Sequence, residues 1–192
     1  MRRLPILVLA LALGACTSNT VASLHYVPTA HVQAVSLPSI SAVTATDQRK
    51  EAPARLATIM GGFGNPLKTL DTAKPVKDEV AAAFTEGLRV RGLLAPDGQA
   101  SFRLALLIRK FDADMLIGRT ARIDMTMSVL DQAGRTVFED SAIDSESDMK
   151  FMQTGIFADI ADLQALSQKV LDRTVDRMLD NPAFRTAVAR GS

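Results

Sequence analysis

The pattern of apolar and polar residues predicts three strands in the centre of the chain. Apolar side chains recur at every second position, at Phe102, Leu104, Leu106 and Ile108 and again at Ile123, Met125, Met127 and Val129. A period of two turns one face of a strand toward a core and the other toward water. The sequence Asp131-Gln132-Ala133-Gly134 is typical of a turn, so residues 135 to 143 are expected to pair back as a hairpin.

Two further strands are predicted before this region. Residues 35–46 are rich in Val, Ile, Ser and Thr and end at a polar cluster, and Leu56 to Met60 form a second, short strand. The sequence Gly61-Gly62-Phe63-Gly64-Asn65-Pro66 follows directly and indicates a loop, because Gly and Pro interrupt regular structure.

Helical periodicity occurs in two parts of the chain. Pro75 precedes an apolar stripe at Val76, Val80, Phe84 and Leu88, and Gly92 ends that helix. Asp159 is the expected N-cap of a second helix, and Asn181-Pro182 begins a short third one. The predicted order is therefore β-β-α-β-β-β-α-α. It favours an α+β fold, with a mainly antiparallel sheet and helices packed on one face, as a single domain over residues 35–192.

The N-terminus has the pattern of an export signal. Arg2 and Arg3 precede an apolar run of about ten residues, which is too short to cross a bilayer. The run ends in Leu13-Gly14-Ala15-Cys16, which resembles the lipobox of bacterial lipoproteins. The resemblance implies cleavage between Ala15 and Cys16, with residues 1–15 removed, and acyl chains on Cys16 that hold the protein on a membrane. An ordinary signal peptide with a cysteine at the junction is the alternative.

Residues 16–34 are predicted to be the lipidated cysteine followed by a flexible tether. This stretch is small and polar, contains Pro28, and holds both histidines, His25 and His31. Thr17 stands where an Asp directs many Gram-negative lipoproteins to the inner membrane. The expected location is therefore the periplasmic face of the outer membrane, with the outer face of the inner membrane as the alternative.

Composition excludes several function classes. The chain has 22 basic and 21 acidic side chains, so nucleic-acid binding is not expected. Cys16 is the only cysteine, which rules out an intramolecular disulfide and a thiolate metal cluster. No cofactor is predicted.

Candidate chemistry is sparse. Phe63, between glycines, is a candidate partner contact, and its loop lacks the Gly-Lys-Ser/Thr ending of a phosphate loop. Asp144, Glu146 and Asp148 share one side of an extended chain, which fits either a hard-cation site or, more simply, a solvated strand end. Because both histidines lie in the predicted tether, no catalytic or metal site is assigned and a hydrolase is disfavoured.

The mature chain resembles the YajG-like family of outer-membrane lipoproteins. The resemblance rests on the lipobox, on Asp47-Gln48-Arg49 after the first strand, and on Val90-Arg91-Gly92-Leu93 at the helix end. It implies a non-catalytic lipoprotein facing the periplasm. A weaker resemblance, to auxiliary lipoproteins of ABC-type transport systems, implies a role in moving lipid or solute. The second resemblance suggests partner binding, and the expected partner is an envelope protein or a lipid.

Overall fold

The computed structural model describes residues 18–30, 32, 34, 39–60, 65–96, 99–115, 118–148 and 159–190. Its strands are β1 (Ser18–Ala22), β2 (Ile40–Asp47), β3 (Arg55–Met60), β4 (Pro66–Thr72), β5 (Phe102–Met115), β6 (Arg119–Asp131) and β7 (Thr136–Asp148). Its helices are α1 (Val76–Val90), α2 (Ile160–Leu179) and α3 (Pro182–Ala189). None of the described helices is both long and apolar enough to cross a membrane.

The strands form one seven-stranded sheet in the order β1-β4-β3-β5-β6-β7, and β2 also pairs with β5. The β1/β4, β2/β5 and β3/β5 pairs are parallel, while β3/β4, β5/β6 and β6/β7 are antiparallel. The α+β class is confirmed. The sheet is mixed, however, and the predicted order of elements is wrong because it lacks β1 and β4.

Both missed strands lack an apolar stripe. β1 has the sequence SNTVA and lies at a sheet edge, where Ala22 is its only buried residue. β4 buries Thr69 and Thr72 as well as Leu70, so polar side chains occupy buried positions. Thr72 Oγ1 lies 3.1 Å from the Ala54 carbonyl oxygen and 2.5 Å from the Lys74 carbonyl oxygen, and these contacts satisfy it inside the fold.

The predicted β5–β6–β7 meander is present, and the helices cover its apolar face. A bulge between Ile108 and Lys110 keeps Phe111 on the same buried face as Ile108. Helix α2 packs across β6 and β7, and α1 packs on β2. The two helices approach closely at Gly87, where an added Cβ would lie 2.7 Å from Val175 Cγ1. Glycine is therefore required there for packing.

Candidate functional site

The N-terminal segment joins the fold without a spacer. Ser18 begins β1 and pairs with Lys68, and the register continues in parallel to Ala22 opposite Thr72. The Thr69 hydroxyl lies 3.1 Å from Asn19 Oδ1 and reinforces the pairing. Cys16 and Ala15, the predicted lipidation and cleavage residues, lie outside the described residues, but only Thr17 separates Cys16 from β1.

Residues 23–30, here called the N-terminal strap, continue from β1 onto the helical layer. Ala22, Leu24 and Tyr26 are buried, while Ser23, His25 and Val27 between them are exposed. The prediction of a flexible tether is therefore wrong for residues 18–30. The alternation of apolar residues at every second position could have indicated an extended, half-buried segment, but the pattern is short and is interrupted by small and polar residues.

The strap lies parallel to α2 and forms hydrogen bonds with three residues of that helix that are spaced four positions apart. The His25 amide donates to Gln168 Oε1 (3.0 Å), the Val27 amide to Asp172 Oδ1 (3.2 Å), and the Thr29 amide to Asp176 Oδ2 (2.8 Å). Gln168 Nε2 returns a bond to the His25 carbonyl (2.9 Å). Two residues of extended chain advance about 6.6 Å and four helical residues about 6 Å, so the two repeats match.

A buried arginine joins the strap to both long helices. The Arg91 side chain, just after α1, is 0% exposed. Its guanidinium donates to Asp180 Oδ1 (2.9 Å) and Oδ2 (2.6 Å), Asp176 Oδ1 (2.7 Å), the Tyr26 hydroxyl (2.8 Å) and the Gly87 carbonyl (3.1 Å). All five of its N–H donors are thereby used. We call Arg91, Tyr26, Asp176 and Asp180 the Arg91 cluster.

The ionisation of this cluster follows from burial and hydrogen bonding. Burial raises the pKa of Tyr26 to about 12, against the opposing effect of Arg91, so the phenol stays neutral and donates to Asp176 Oδ1 (2.5 Å). Burial would raise the pKa of Asp176, but hydrogen bonds from Thr29, Tyr26 and Arg91 hold it below its ordinary value. The cluster holds one positive and two negative charges, and Arg185 also pairs with Asp180 at 2.8 Å, so every charge in it is paired and it is suited to fastening the strap.

Asp172 lies one helical turn from Asp176, and its pKa is shifted in the opposite direction. Burial raises the pKa of its carboxyl, and hydrogen bonds from the Val27 amide and Gln168 only partly offset this effect. In the described part of the chain its carboxylate accepts these hydrogen bonds without an ion pair, whereas Asp176 has Arg91 at 2.7 Å. The strap therefore covers one well-compensated carboxylate and one that ionises at a cost.

The acidic row of β7 faces α2. Asp144 accepts two hydrogen bonds from Arg173 (2.9 and 2.5 Å), and Glu146 accepts from Lys169 (2.5 Å) and Arg173 (2.7 Å). Asp148 pairs with Arg119 at 3.1 Å. The hydrogen bond from Lys169 is the main cause that lowers the pKa of Glu146. The three carboxylates do share one side, but ion pairs to helix and sheet replace the predicted solvated strand end.

Among the described residues, no group of three or more His, Cys, Asp or Glu side chains is arranged to hold a metal ion. Phe63 lies outside the described residues. The strand ends that flank its loop, Met60 and Pro66, pair with each other, and Lys68 pairs with Ser18. The loop therefore leaves the sheet beside the start of β1, a proximity that sequence analysis without β1 and β4 does not predict.

No protein-family model and no curated protein matches the chain in sequence. Among solved structures, the fold is similar to a DUF330 protein from Xanthomonas campestris, with a TM-score of 0.59 and 15% identity over 84% of this chain and 92% of that one. A candidate lipoprotein from Caulobacter crescentus CB15 matches with a TM-score of 0.44 and 17% identity over 57% and 80% of the two chains. A minor lipoprotein from Acinetobacter baumannii gives 0.40 and 14% over 59% and 85%.

The Xanthomonas structure shows a shared fold and nothing further at this identity. The TM-scores of the other two structures are too low to support an argument about this chain. The resemblance to the YajG-like family is not confirmed by these comparisons and stays a prediction.

Proposed function

We propose that the chain is a lipoprotein of the bacterial envelope, held on a membrane through acyl chains on Cys16, and that its domain binds a partner instead of catalysing a reaction. The observation that carries the proposal is the start of the fold at Ser18, two residues after Cys16. Because the sheet begins directly after the lipobox-like junction, acyl chains on Cys16 would hold it close to the membrane surface. The proposed surface is the periplasmic face of the outer membrane, with the inner membrane as the alternative.

Energetics support a stable anchor. Each buried methylene of an acyl chain contributes about 0.8 kcal/mol, so one chain binds marginally while two or three bind durably. A domain confined in this way meets its membrane neighbours at high effective concentration, so a weak contact is sufficient for binding. Partner binding therefore requires neither a deep pocket nor a catalytic group.

Replacement of the acylated residue tests the anchor. Cys16→Ala is expected to abolish incorporation of labelled palmitate and to leave a longer precursor, because the thioether cannot form. Ser18→Ala, two residues away, is the matched control and should be processed like the wild type. Equal labelling and equal mass for Cys16→Ala and the wild type would contradict the proposal.

Phe63 is the proposed partner contact. A photo-cross-linker at Phe63 in intact cells is expected to give a specific adduct, while one at exposed Ala133, in the β6–β7 turn at the opposite end of the sheet, should give none. Equal adducts at both positions would contradict this assignment. An adduct with a transport subunit would favour the auxiliary role in an ABC-type system, and hydrolytic turnover by the purified protein would contradict the binding function altogether.

A further inference from the structure

Three strand ends meet where the chain enters the sheet. Ser18 lies beside Lys68, Lys68 lies beside Ile59, and Met60 pairs with Pro66. β5 runs in the same direction as β3, so β1 and β4 run the opposite way, from this end of the sheet toward the other. We call residues 18–20, Met60 and residues 65–68 the β1 corner.

The β1 corner differs in charge from the rest of the protein. The chain contains 22 basic and 21 acidic side chains, yet Lys68 is the only charged residue of the corner, and it is basic. Ser18, Asn19 and Pro66 are exposed, and the Met60 side chain is 44% exposed. The nearest acid along β4 is Asp71, farther from the corner, where it pairs with Arg55 at 2.5 Å.

Such a surface suits lipid headgroups. A corner whose own residues include no carboxylate avoids repulsion from anionic lipids. An exposed methionine can enter the interface at little cost because its side chain is apolar and adaptable. The opposite edge strand, β7, carries five carboxylates, Glu139, Asp140, Asp144, Glu146 and Asp148, although the last three are ion-paired with basic side chains of α2 and β6.

The length of the linkage makes this contact unavoidable for an acylated chain. Two residues span at most about 7 Å. The headgroup layer on each side of the hydrocarbon core is about 5–8 Å thick. With its acyl chains in the bilayer, Cys16 therefore leaves Ser18 within or directly above the headgroups.

We propose that the β1 corner rests on the headgroups of the bilayer that holds the Cys16 acyl chains, with β1 and β4 leading away from it. The inference rests on the proposed acylation of Cys16. The 14-residue strand β5 is on the order of 40 Å long, which places the β6–β7 turn far from the lipid when the sheet stands upright.

Fluorescence quenching in the acylated protein tests this orientation. Cys16 is the only native cysteine, and acylation consumes its thiol, so an introduced cysteine is labelled uniquely. Met60→Cys and Ala133→Cys carry the same environment-sensitive fluorophore in full-length protein reconstituted into vesicles of phosphatidylethanolamine and phosphatidylglycerol with nitroxide-labelled lipid. Quenching at position 60 is expected to exceed quenching at position 133 severalfold. A 12-residue Gly-Ser insertion between Thr17 and Ser18 should remove most of that difference, because such a linker extends about 20 Å.

Mass spectrometry of the same samples separates the two hypotheses. A missing acyl mass overturns the proposed function, and quenching is interpreted only for protein that carries the acyl mass. Equal quenching at positions 60 and 133 in acylated protein overturns the orientation while leaving the anchor intact. If the insertion leaves the quenching at position 60 unchanged, the short linkage is not what holds the β1 corner at the lipid.

Discussion

Arg91 is the largest fully buried side chain in the described part of the protein. A buried guanidinium is tolerated only when carboxylates and hydrogen-bond acceptors compensate its charge. Asp176 and Asp180 supply the charge, and Tyr26 and the Gly87 carbonyl accept the remaining hydrogen bonds. The Tyr26 ring also lies 5.9 Å from the guanidinium carbon, within range of a cation–π contact. One side chain thus joins α1, α2 and the strap.

Arg91→Met is expected to lower the free energy of unfolding by about 3 kcal/mol. This value is at the lower end of the range for a broken buried ion pair, because the Asp180 side chain is 47% exposed and regains water. Arg89→Met, two residues earlier, is the control. Its pair with Glu86 is exposed on both sides and should contribute little. Urea unfolding followed by circular dichroism measures both variants, and similar losses for the two would show that the Arg91 cluster is not a clamp.

At the scale of elements, the strap and α2 form one unit because their repeats match. Asp172 and Asp176 occupy successive turns of α2 and accept from successive amides of the strap. Their pKa shifts nevertheless differ in sign: burial raises that of Asp172, and hydrogen bonds lower that of Asp176. The strap is therefore held mainly at its Asp176 end.

This difference predicts opposite effects of the same substitution at pH 7. Asp176→Asn should lower stability by about 1–3 kcal/mol because Arg91 loses a charged acceptor. Asp172→Asn should leave stability unchanged or raise it by up to about 1 kcal/mol, since the amide oxygen still accepts from Val27 and the cost of a buried charge disappears. Unfolding experiments at neutral pH measure both changes, and two losses of equal size would contradict the assignment.

The pH dependence of the unfolding free energy tests the same two residues, Asp172 and Asp176. Asp176 has a lowered folded pKa, so its contribution is complete above the unfolded value of about 3.9 and is lost as the pH falls through the folded pKa. Asp172 has a raised folded pKa, so its ionisation penalty disappears as the pH falls below that pKa. The destabilisation by Asp176→Asn should therefore persist down to a pH of about 3.9 and disappear only below it, whereas the effect of Asp172→Asn should already fade as the pH falls toward about 3.9. A stability difference that is constant with pH would show that charge is not the cause.

At the scale of the whole molecule, the sheet has two unlike faces and two unlike edges. Helices cover the face that contains Met125 and Phe111, while the other face is mostly polar but includes Leu107, Leu130 and Ile143, of which Ile143 is 77% exposed. One edge is the nearly uncharged β1 beside the proposed membrane anchor, and the other is the acidic β7, whose inward carboxylates pair with α2. This polarity gives the proposed lipoprotein a membrane end at β1 and directs the β6–β7 turn away from it.

The sequence alone determined the parts whose signals are local. Alternation in β5 and β6, the Asp131–Gly134 turn and the apolar stripe of α1 appear where they were predicted. In each case, the residues that produce the pattern are only a few positions apart in the sequence. The sequence also predicted that Asp144, Glu146 and Asp148 lie on one side of the strand, because strand side chains alternate between two sides.

Only the tertiary structure decided the rest. β1 and β4 carry few apolar side chains and are strands because β1 pairs with β4, 50 residues away, and β4 also pairs with β3, 6 to 16 residues away. The side-chain partners of Arg91 lie 65 to 89 residues away in sequence, so no local pattern marks it as buried. The same holds for the strap, whose backbone finds its acceptors 143 to 147 residues later, on α2. Long-range pairing of polar groups depends on where the topology places them, and this is the physical reason why a segment that resembles a tether is part of the fold.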